Sequence, residues 1–457
     1  MGARLGKVKF ERRKTLVAKQ EQTSFDSTDC TNRQTVAGNA LYNSSATEHP
    51  GVGTIKILVL AQDLADAAIH RRVAMLCAGG AQVTTAGFRR VPQSIESVAG
   101  CTAIDFGQTL NAKLLKRIIS VAQKLINIRR YRSLFTEADV IIARNLDMLL
   151  IGTYGCRRRK PPPVLVYECL DIHRLMLNRG PVGWILRWIE RQLSLRAAAI
   201  LTSSPAFVRH YFRPTARLKI PIRLIENKVL GITERVAPDE VASSRKPGPP
   251  WMIGWFGMIR CTRSLRLLIE LTQQSEGAIQ VVIRGKPLEH LFGDFERAIG
   301  EAPGIHFLGP YRNPQDLQSI YRQVHFNWAI DMFEQGLNSS WLLPNRLYEG
   351  GLYGAVPIAL LSVETGRLLQ KLALGVLLTD PIATSLRAFF AALTPEKYHD
   401  LETAISSVPR ATWLCSRSES ESLVNWLGSL GRRKMSFHRT QVPSLQIDED
   451  NRSSHYA

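Results

Sequence analysis

Asn345-Arg-Leu-Tyr-Glu-Gly-Gly-Leu-Tyr-Gly-Ala-Val-Pro-Ile-Ala359 decides how this chain is read. The spacing predicts a short helix that begins near Pro344 and ends at Gly354, followed by a buried apolar strand over Val356–Leu361. Arg346 and Glu349 lie three positions apart and so share a helix face. A helix N-terminus beside an arginine attracts anions, because unpaired N–H groups and the guanidinium converge there. A carboxylate one turn later accepts hydrogen bonds from hydroxyls such as those of a ribose. The combination suits a nucleoside diphosphate, although a helix with a solvated Arg and Glu has the same spacing.

Outward from this stretch, short apolar runs alternate with helical sequence. Ile55–Leu60 reads as a buried parallel strand, a helix closed by Gly79-Gly80 follows, and Gln82–Ala86 is the next strand. Further runs at Ala138–Ala143, Val164–Tyr167 and Ala199–Thr202 extend a Rossmann-like domain over 54–234. Residues 235–250, rich in Pro, Gly, Ser and charge, read as a linker. The alternation restarts at Trp251–Phe256 and continues through Gln280–Ile283, His306–Leu308, Phe326–Ala329 and Val356–Leu361. A second Rossmann-like domain over 251–432 is expected, closed by an amphipathic helix opened by Thr412 or Ser416. Residues 1–53 and 433–457 are polar and read as disordered tails. The predicted class is α/β, with two doubly wound domains facing a cleft, where such sheets bind ligands.

Composition narrows the partners. Lys+Arg number 59 against Asp+Glu 39, a net charge of +20 over 457 residues, which favours an anionic partner: nucleotide phosphates, an anionic membrane surface or nucleic acid. No nucleic-acid-binding module accompanies the charge, so nucleic acid is not expected. The seven cysteines include no C-x-x-C pair, which fits neither a zinc site nor a disulfide framework and suits a reducing cytoplasm. The opening residues lack the apolar core of a secretory signal, and no apolar run reaches transmembrane length.

Met252-Ile-Gly-Trp-Phe-Gly257-Met-Ile-Arg260-Cys-Thr-Arg263 is a strand, a glycine turn and two arginines at the start of a helix, which would present backbone N–H groups and guanidinium groups at one mouth. Gly285 and Gly309 end the next two predicted strands, where bare backbone lines a pocket. Asn338 and Ser339 lie in the loop before the decisive helix and are further candidates to touch a sugar or phosphate. Neither a Walker A motif nor G-x-G-x-x-G is present, against ATP hydrolysis and NAD binding.

The segment around Glu349 resembles the donor-site helix of two-domain glycosyltransferases of the GT-B fold, in which a Glu precedes an Ala/Gly–x–Pro–Val/Ile turn. The resemblance implies that Glu349 binds the ribose of a nucleotide-diphosphate sugar, that Arg346, with Asn345 beside it, approaches the diphosphate, and that Gly257, Arg260 and Arg263 help to hold that diphosphate. Many retaining members of glycosyltransferase family four carry another Glu eight residues earlier. Here that position is Trp341, so retention or inversion of the anomeric centre stays open.

In the first half, Asp66 and His70 share a helix face after the opening strand, with Arg71 and Arg72 beside them. With Gly87-Phe-Arg-Arg90, this stretch is similar to enzymes that build bacterial exopolysaccharides of the succinoglycan kind, a likeness covering roughly 55–430. It implies an acceptor side formed by Asp66, His70 and Arg72, and a lipid-linked saccharide as acceptor. Val166-Tyr-Glu168-Cys-Leu-Asp171-Ile-His173 brings two carboxylates and an imidazole to one strand end, so Glu168, Asp171 and His173 are the candidate general bases. The alternative is a capped helix start with Asp171 as the cap. Lys113–Arg132 is basic and amphipathic, and Trp184 and Trp188 lie four apart. Both segments suit peripheral contact with the inner face of the cytoplasmic membrane, or a simple covering of the sheet. No Asp-x-Asp motif occurs in either half, so no metal or other cofactor is required by this reading. The expected activity is hexosyl transfer in exopolysaccharide assembly. Alternatives are a sugar-nucleotide epimerase of the same fold or a basic nucleic-acid-binding protein.

Overall fold

Runs of branched apolar residues become the strands of two parallel sheets. In the first, β1 (Lys56–Ala61), β2 (Gln82–Arg89), β3 (Ser97–Val98), β4 (Cys101–Gln108), β5 (Val140–Arg144), β6 (Val164–Glu168), β7 (Ala199–Thr202) and β8 (Ile222–Leu224) lie in the order β3-β4-β2-β1-β5-β6-β7-β8, parallel except for the β3–β4 hairpin. Every residue of β5, β6 and β7 is buried, as expected for strands covered on both faces. The chain winds outward from β1 through β2 and β4, then returns to β5. The crevice between the ends of β1 and β5 is therefore a topological switch point. The computed structural model describes residues 54–109, 114–157, 160–231, 245–300 and 302–436, and the tail expected over 1–53, residues 437–457 of the other tail, residues 235–244 of the expected linker and residues 232–234 before it lie outside them.

The second sheet contains β10 (Trp251–Ile259), β11 (Ile279–Pro287), β12 (Ile305–Phe307), β13 (Phe326–Trp328), β14 (Val356–Leu360) and β15 (Val376–Leu378) in the order β12-β11-β10-β13-β14-β15, all parallel. Its switch point lies between β10 and β13. Between the sheets, β9 (Val229–Leu230) pairs in parallel with β16 (Leu414–Cys415), so the outgoing and returning passages of the chain are tied to each other. The closing helix α7 (Arg417–Ser436) starts with a capping box: Glu419 N–H donates to Ser416 Oγ (3.1 Å), and Ser416 N–H donates to a Glu419 carboxylate oxygen (3.0 Å). Sequence order groups α7 with the second half. Its Leu423, Val424 and Leu427 instead pack with Ile57, Val59 and Ile69 of the first, and it runs on to Ser436, into the stretch read as a tail. No helix of the described residues is long and apolar enough to cross a membrane.

Helix α3 (Pro181–Ser194) covers the first sheet with a polar face inward. Glu190 is fully buried there and accepts hydrogen bonds from Tyr167 Oη (2.8 Å) and Tyr211 Oη (2.6 Å). Burial pushes its carboxyl up to about 7, with the two hydroxyls and Arg187 opposing the shift. The folded protein therefore holds this proton more tightly than the unfolded chain does. Stability should fall as pH rises from 4.5 through about 7, and level off above. The slope approaches about 1.4 kcal/mol per pH unit within that window. Urea midpoints of the Glu190→Gln variant should lose this slope, and a slope identical to the parent's would show that another group causes it.

Candidate active site

The C-terminal ends of β10 and β11 meet through glycine. Gly257 lies opposite Gly285 in the register, both have positive φ (+109° and +140°), and a Cβ on Gly285 would fall 1.7 Å from the Gly257 carbonyl oxygen. Gly285 N–H in turn donates to the Gly309 carbonyl (2.9 Å), so three strand ends close into a floor of bare backbone. The chain then turns into helix α4 (Thr262–Gln273), capped by the Cys261 thiol.

Arg260, expected as a free anion hook, is already paired with Asp331 (2.6 Å), and its guanidinium lies 5.3 Å from the Phe333 ring centre. Burial works against its charge, but Asp331, then Asp171 and Glu334, more than compensate and raise its pKa. Arg263 sits on the exposed rim and donates to Gln335 (2.6 Å).

Helix α5 (Asn345–Leu352) closes the other side. Pro344 supplies its extended N-cap, Asn345 is exposed at its first position, and Gly354 just beyond its end has φ +74°. Arg346 donates from Nη2 to the Ile330 carbonyl (2.9 Å), while its buried Nε–H has no partner among the described residues. Burial lowers its pKa, opposed mainly by Asp331. Glu349 is buried, one oxygen accepting from Asn313 Nδ2 (3.0 Å) and the other from Tyr321 Oη (2.9 Å). Burial raises its pKa against the pull of these bonds and of Arg71 and Arg346. Each carboxylate oxygen keeps accepting capacity for a ligand hydroxyl. Asn313 and Tyr321 went unrecognised in the sequence, since neither lies in a motif.

In the first half, several expectations are corrected. Glu168 is not an available base. It is wholly buried between Arg72 Nε (2.6 Å) and Arg144 Nη2 (2.7 Å), whose charges outweigh burial and hold its pKa down. Arg72 is spent on this clamp and is buried, so it does not face an acceptor. Asp66 caps helix α1 (Ala67–Ala78) through Ala68 N–H (2.9 Å) and stays exposed at the cleft edge. His70 lies 3.1 Å through Nε2 from the Leu64 carbonyl, and burial lowers its pKa, so the neutral ring pins the preceding loop. Arg71 donates to Asn227 Oδ1 (2.7 Å). Burial and Arg72 lower its pKa to about 10, while the nearby Glu349 of α5 opposes the shift.

His173, not Asp171, caps the short helix that follows β6: its Nδ1 accepts from Leu175 N–H (3.3 Å). With Nδ1 engaged in this way, His173 serves in the structure as a helix cap, the role expected of Asp171. Asp171 has an exposed side chain on the crowded rim opposite Arg260. Displacement of water by surrounding protein, then Glu334, raise its pKa, and Arg260 opposes the rise. Asn338 is also corrected. It is buried, and its amide exchanges two hydrogen bonds with the Ile172 backbone (3.1 and 2.6 Å), a clasp between the halves that leaves no group for a nucleotide. Trp341 stacks on His210 (ring centres 5.7 Å apart), and its carbonyl accepts from Ser204 Oγ (2.5 Å). The position where the sequence resemblance leads one to look for a Glu serves here to join the halves.

No protein-family model matches the chain. The succinoglycan biosynthesis protein ExoL of Rhizobium meliloti (strain 1021) is 45% identical over 379 residues, covering 82% of this chain and 94% of that protein. Among solved structures, Anabaena Alr3699/HepE in complex with UDP superposes with a TM-score of 0.57 at 14% identity, covering 84% of this chain and 99% of that one. Sucrose-phosphate synthase from Thermosynechococcus elongatus gives a TM-score of 0.56 at 13% identity, covering 84% and 98%. The two parallel sheets, the cleft between their switch points and the tied double passage are those of the GT-B fold, and the chain belongs to the family of the succinoglycan biosynthesis protein ExoL.

Proposed function

We propose that this chain is a GT-B glycosyltransferase that moves a hexose from a nucleotide-diphosphate sugar to a lipid-linked saccharide at the inner face of the cytoplasmic membrane, in exopolysaccharide assembly. The observation that carries this reading is the unpartnered, buried Nε–H of Arg346, held at the first turn of α5 beside the end of β13. A buried donor on a cation is costly unless an anion completes it. The helix N-terminus and the bare backbone of the glycine floor supply further donors for a diphosphate. The free accepting capacity of Glu349 suits the ribose, and the name of the relative ExoL, a succinoglycan biosynthesis protein, fits the pathway class.

In the reaction, the bond from the anomeric carbon to the β-phosphate oxygen breaks as the acceptor oxygen bonds to that carbon. The charge that develops on the departing diphosphate is met by Arg346, by α5 and, once exchanged from Asp331, by Arg260. The acceptor proton passes to Asp171 if the configuration inverts, or to the departing phosphate if it is retained.

Arg346→Ala should lower turnover by about tenfold or more, since a charge-assisted phosphate contact is worth roughly 1.5–3 kcal/mol. Arg263→Ala, on the rim, should cost less. The readout is release of nucleoside diphosphate from a panel of nucleotide sugars with membrane extract as acceptor, and an Arg346→Ala enzyme as fast as the parent would put the diphosphate elsewhere. Glu349→Gln should weaken calorimetric donor affinity while leaving the melting temperature close to the parent's, and unchanged affinity would remove Glu349 from the ribose.

Asp171→Asn separates the two routes. An inverting enzyme should lose about a hundredfold in rate, together with the acidic limb of its pH–rate profile, which lies above the ordinary Asp value of 3.8 because this carboxyl is raised. A retained anomeric centre by NMR, with an active Asp171→Asn enzyme, would assign the proton to the phosphate instead.

A further inference from the structure

Helix α3 is inside out. Its inward face carries Gly183, Glu190 and Ser194, while Val182, Trp184, Ile185 and Trp188 point to solvent, with Leu195 just past its end. The exposures are large for such residues: 64% for Trp184, 51% for Trp188 and 67% for Leu195. Their spacing of three and four places them on one stripe. The inward polarity has its own cause. Glu190 is fixed by two tyrosines, and a Cβ at Gly183 would fall 2.0 Å from the Asn178 carbonyl. Of its apolar residues only the half-buried Leu186 and Leu193 meet the core, and the larger apolar side, with both tryptophans, is turned outward.

The patch continues sideways. Helix α2 (Asn145–Cys156) packs against α3 on one flank and against the helix Leu114–Ile126 on the other. The first exposes Tyr154, with the Arg157 guanidinium 4.9 Å from its ring centre, and the second ends at Ile126, which is 79% exposed.

The surrounding charge is one-sided. Between Arg157 and Lys219 the acidic residues are Glu168, Asp171 and Glu190, and two of these are buried and bonded. Arg174, Arg179, Arg196, Arg213 and Arg217 are exposed over the same span. A second copy docking symmetrically on this face would bring like charges together. An anionic bilayer matches both parts: indole rings favour the headgroup boundary, and arginines pair with lipid phosphates.

We infer that the outward face of α3, with the adjoining ends of α2 and Leu114–Ile126, is the surface by which this protein docks on an anionic lipid bilayer, with Trp184 and Trp188 inserted at the headgroup boundary. This deepens the preceding reading and rests on it for the membrane setting. The anchor is the tryptophan helix, and the described part of the basic segment, 114–132, is its flank.

The test is cosedimentation of the full chain with vesicles of phosphatidylcholine alone or with about a third phosphatidylglycerol, for the parent, Trp184→Ser/Trp188→Ser and Arg174→Glu/Arg179→Glu. The parent should bind the phosphatidylglycerol vesicles and bind phosphatidylcholine far less. Each double variant should bind at least about tenfold more weakly, because each removes two of the groups that hold this face on the bilayer. Nucleoside diphosphate release with detergent-solubilised acceptor should be unchanged in the tryptophan variant. Loss of that release in every protein, parent included, would count against the glycosyltransferase reading and leave the vesicle result standing. The inference is overturned if the parent ignores anionic vesicles, or if the tryptophan variant binds them as well as the parent does. It is also overturned if the parent sediments as a dimer that the variant dissolves, or if iodide fails to reach these tryptophans in the vesicle-free chain, which would mean that protein covers the face.

Discussion

Two strands of the second sheet can come together at their ends because Gly285 carries no side chain, while Gly257 opposite it supplies a positive φ of 109°. With a Cβ 1.7 Å from the Gly257 oxygen, any other residue at Gly285 would push β11 away from β10 or flip the turn. That contact sets the backbone floor and the turn from which Arg260 departs. It also places the floor beside β13, whose end fixes Asp331 and, through the Ile330 carbonyl, Arg346. This side of the cleft is thus a chain of dependencies that ends in one guanidinium N–H without a partner among the described residues. Asp331 keeps Arg260 occupied, so in the proposed reaction a diphosphate would have to compete with a carboxylate for it.

The first half solves a different problem. Glu168 lies at the end of a fully buried strand, where a carboxylate is tolerable only with two arginines on it. These come from α1 and from β5, so the clamp fixes the elements around the switch point rather than taking part in chemistry. Across the cleft, Asn338 on Ile172 and Trp341 on His210 hold the halves together, while β9 and β16 tie the two passages of the chain. The Arg209–Glu364 ion pair and the Asn227 amide on the Leu343 carbonyl join the halves as well.

What was legible in the sequence was mostly local. Pro344 and Gly354 bracket α5, Ser416 and Glu419 mark the start of α7, and the runs of Val, Ile and Leu mark the inner strands. β4 escaped notice because Thr102, Asp105 and Gln108 interrupt its apolar pattern at the side of the sheet, and β15 because it is only Val376-Leu-Leu378. The roles of side chains depended on distant partners. Glu168 and Asp171 look alike at one strand end, and what separates them is Arg72, 96 residues away. Asn338 reads as a ligand contact until Ile172, 166 residues earlier, takes both sides of its amide. The stripe of α3 was visible as a stripe, but its direction was not, because only the placing of Tyr167 and Tyr211 shows which face Glu190 must turn inward.

The most direct measurement is a crystal structure of the full chain with a nucleoside diphosphate. The account predicts a phosphate oxygen within hydrogen-bonding distance of Arg346 Nε, the diphosphate lying between the Gly257 turn and the first turn of α5, and a ribose hydroxyl on Glu349. A diphosphate bound away from Arg346, with the Nε–H still unpartnered, would contradict it.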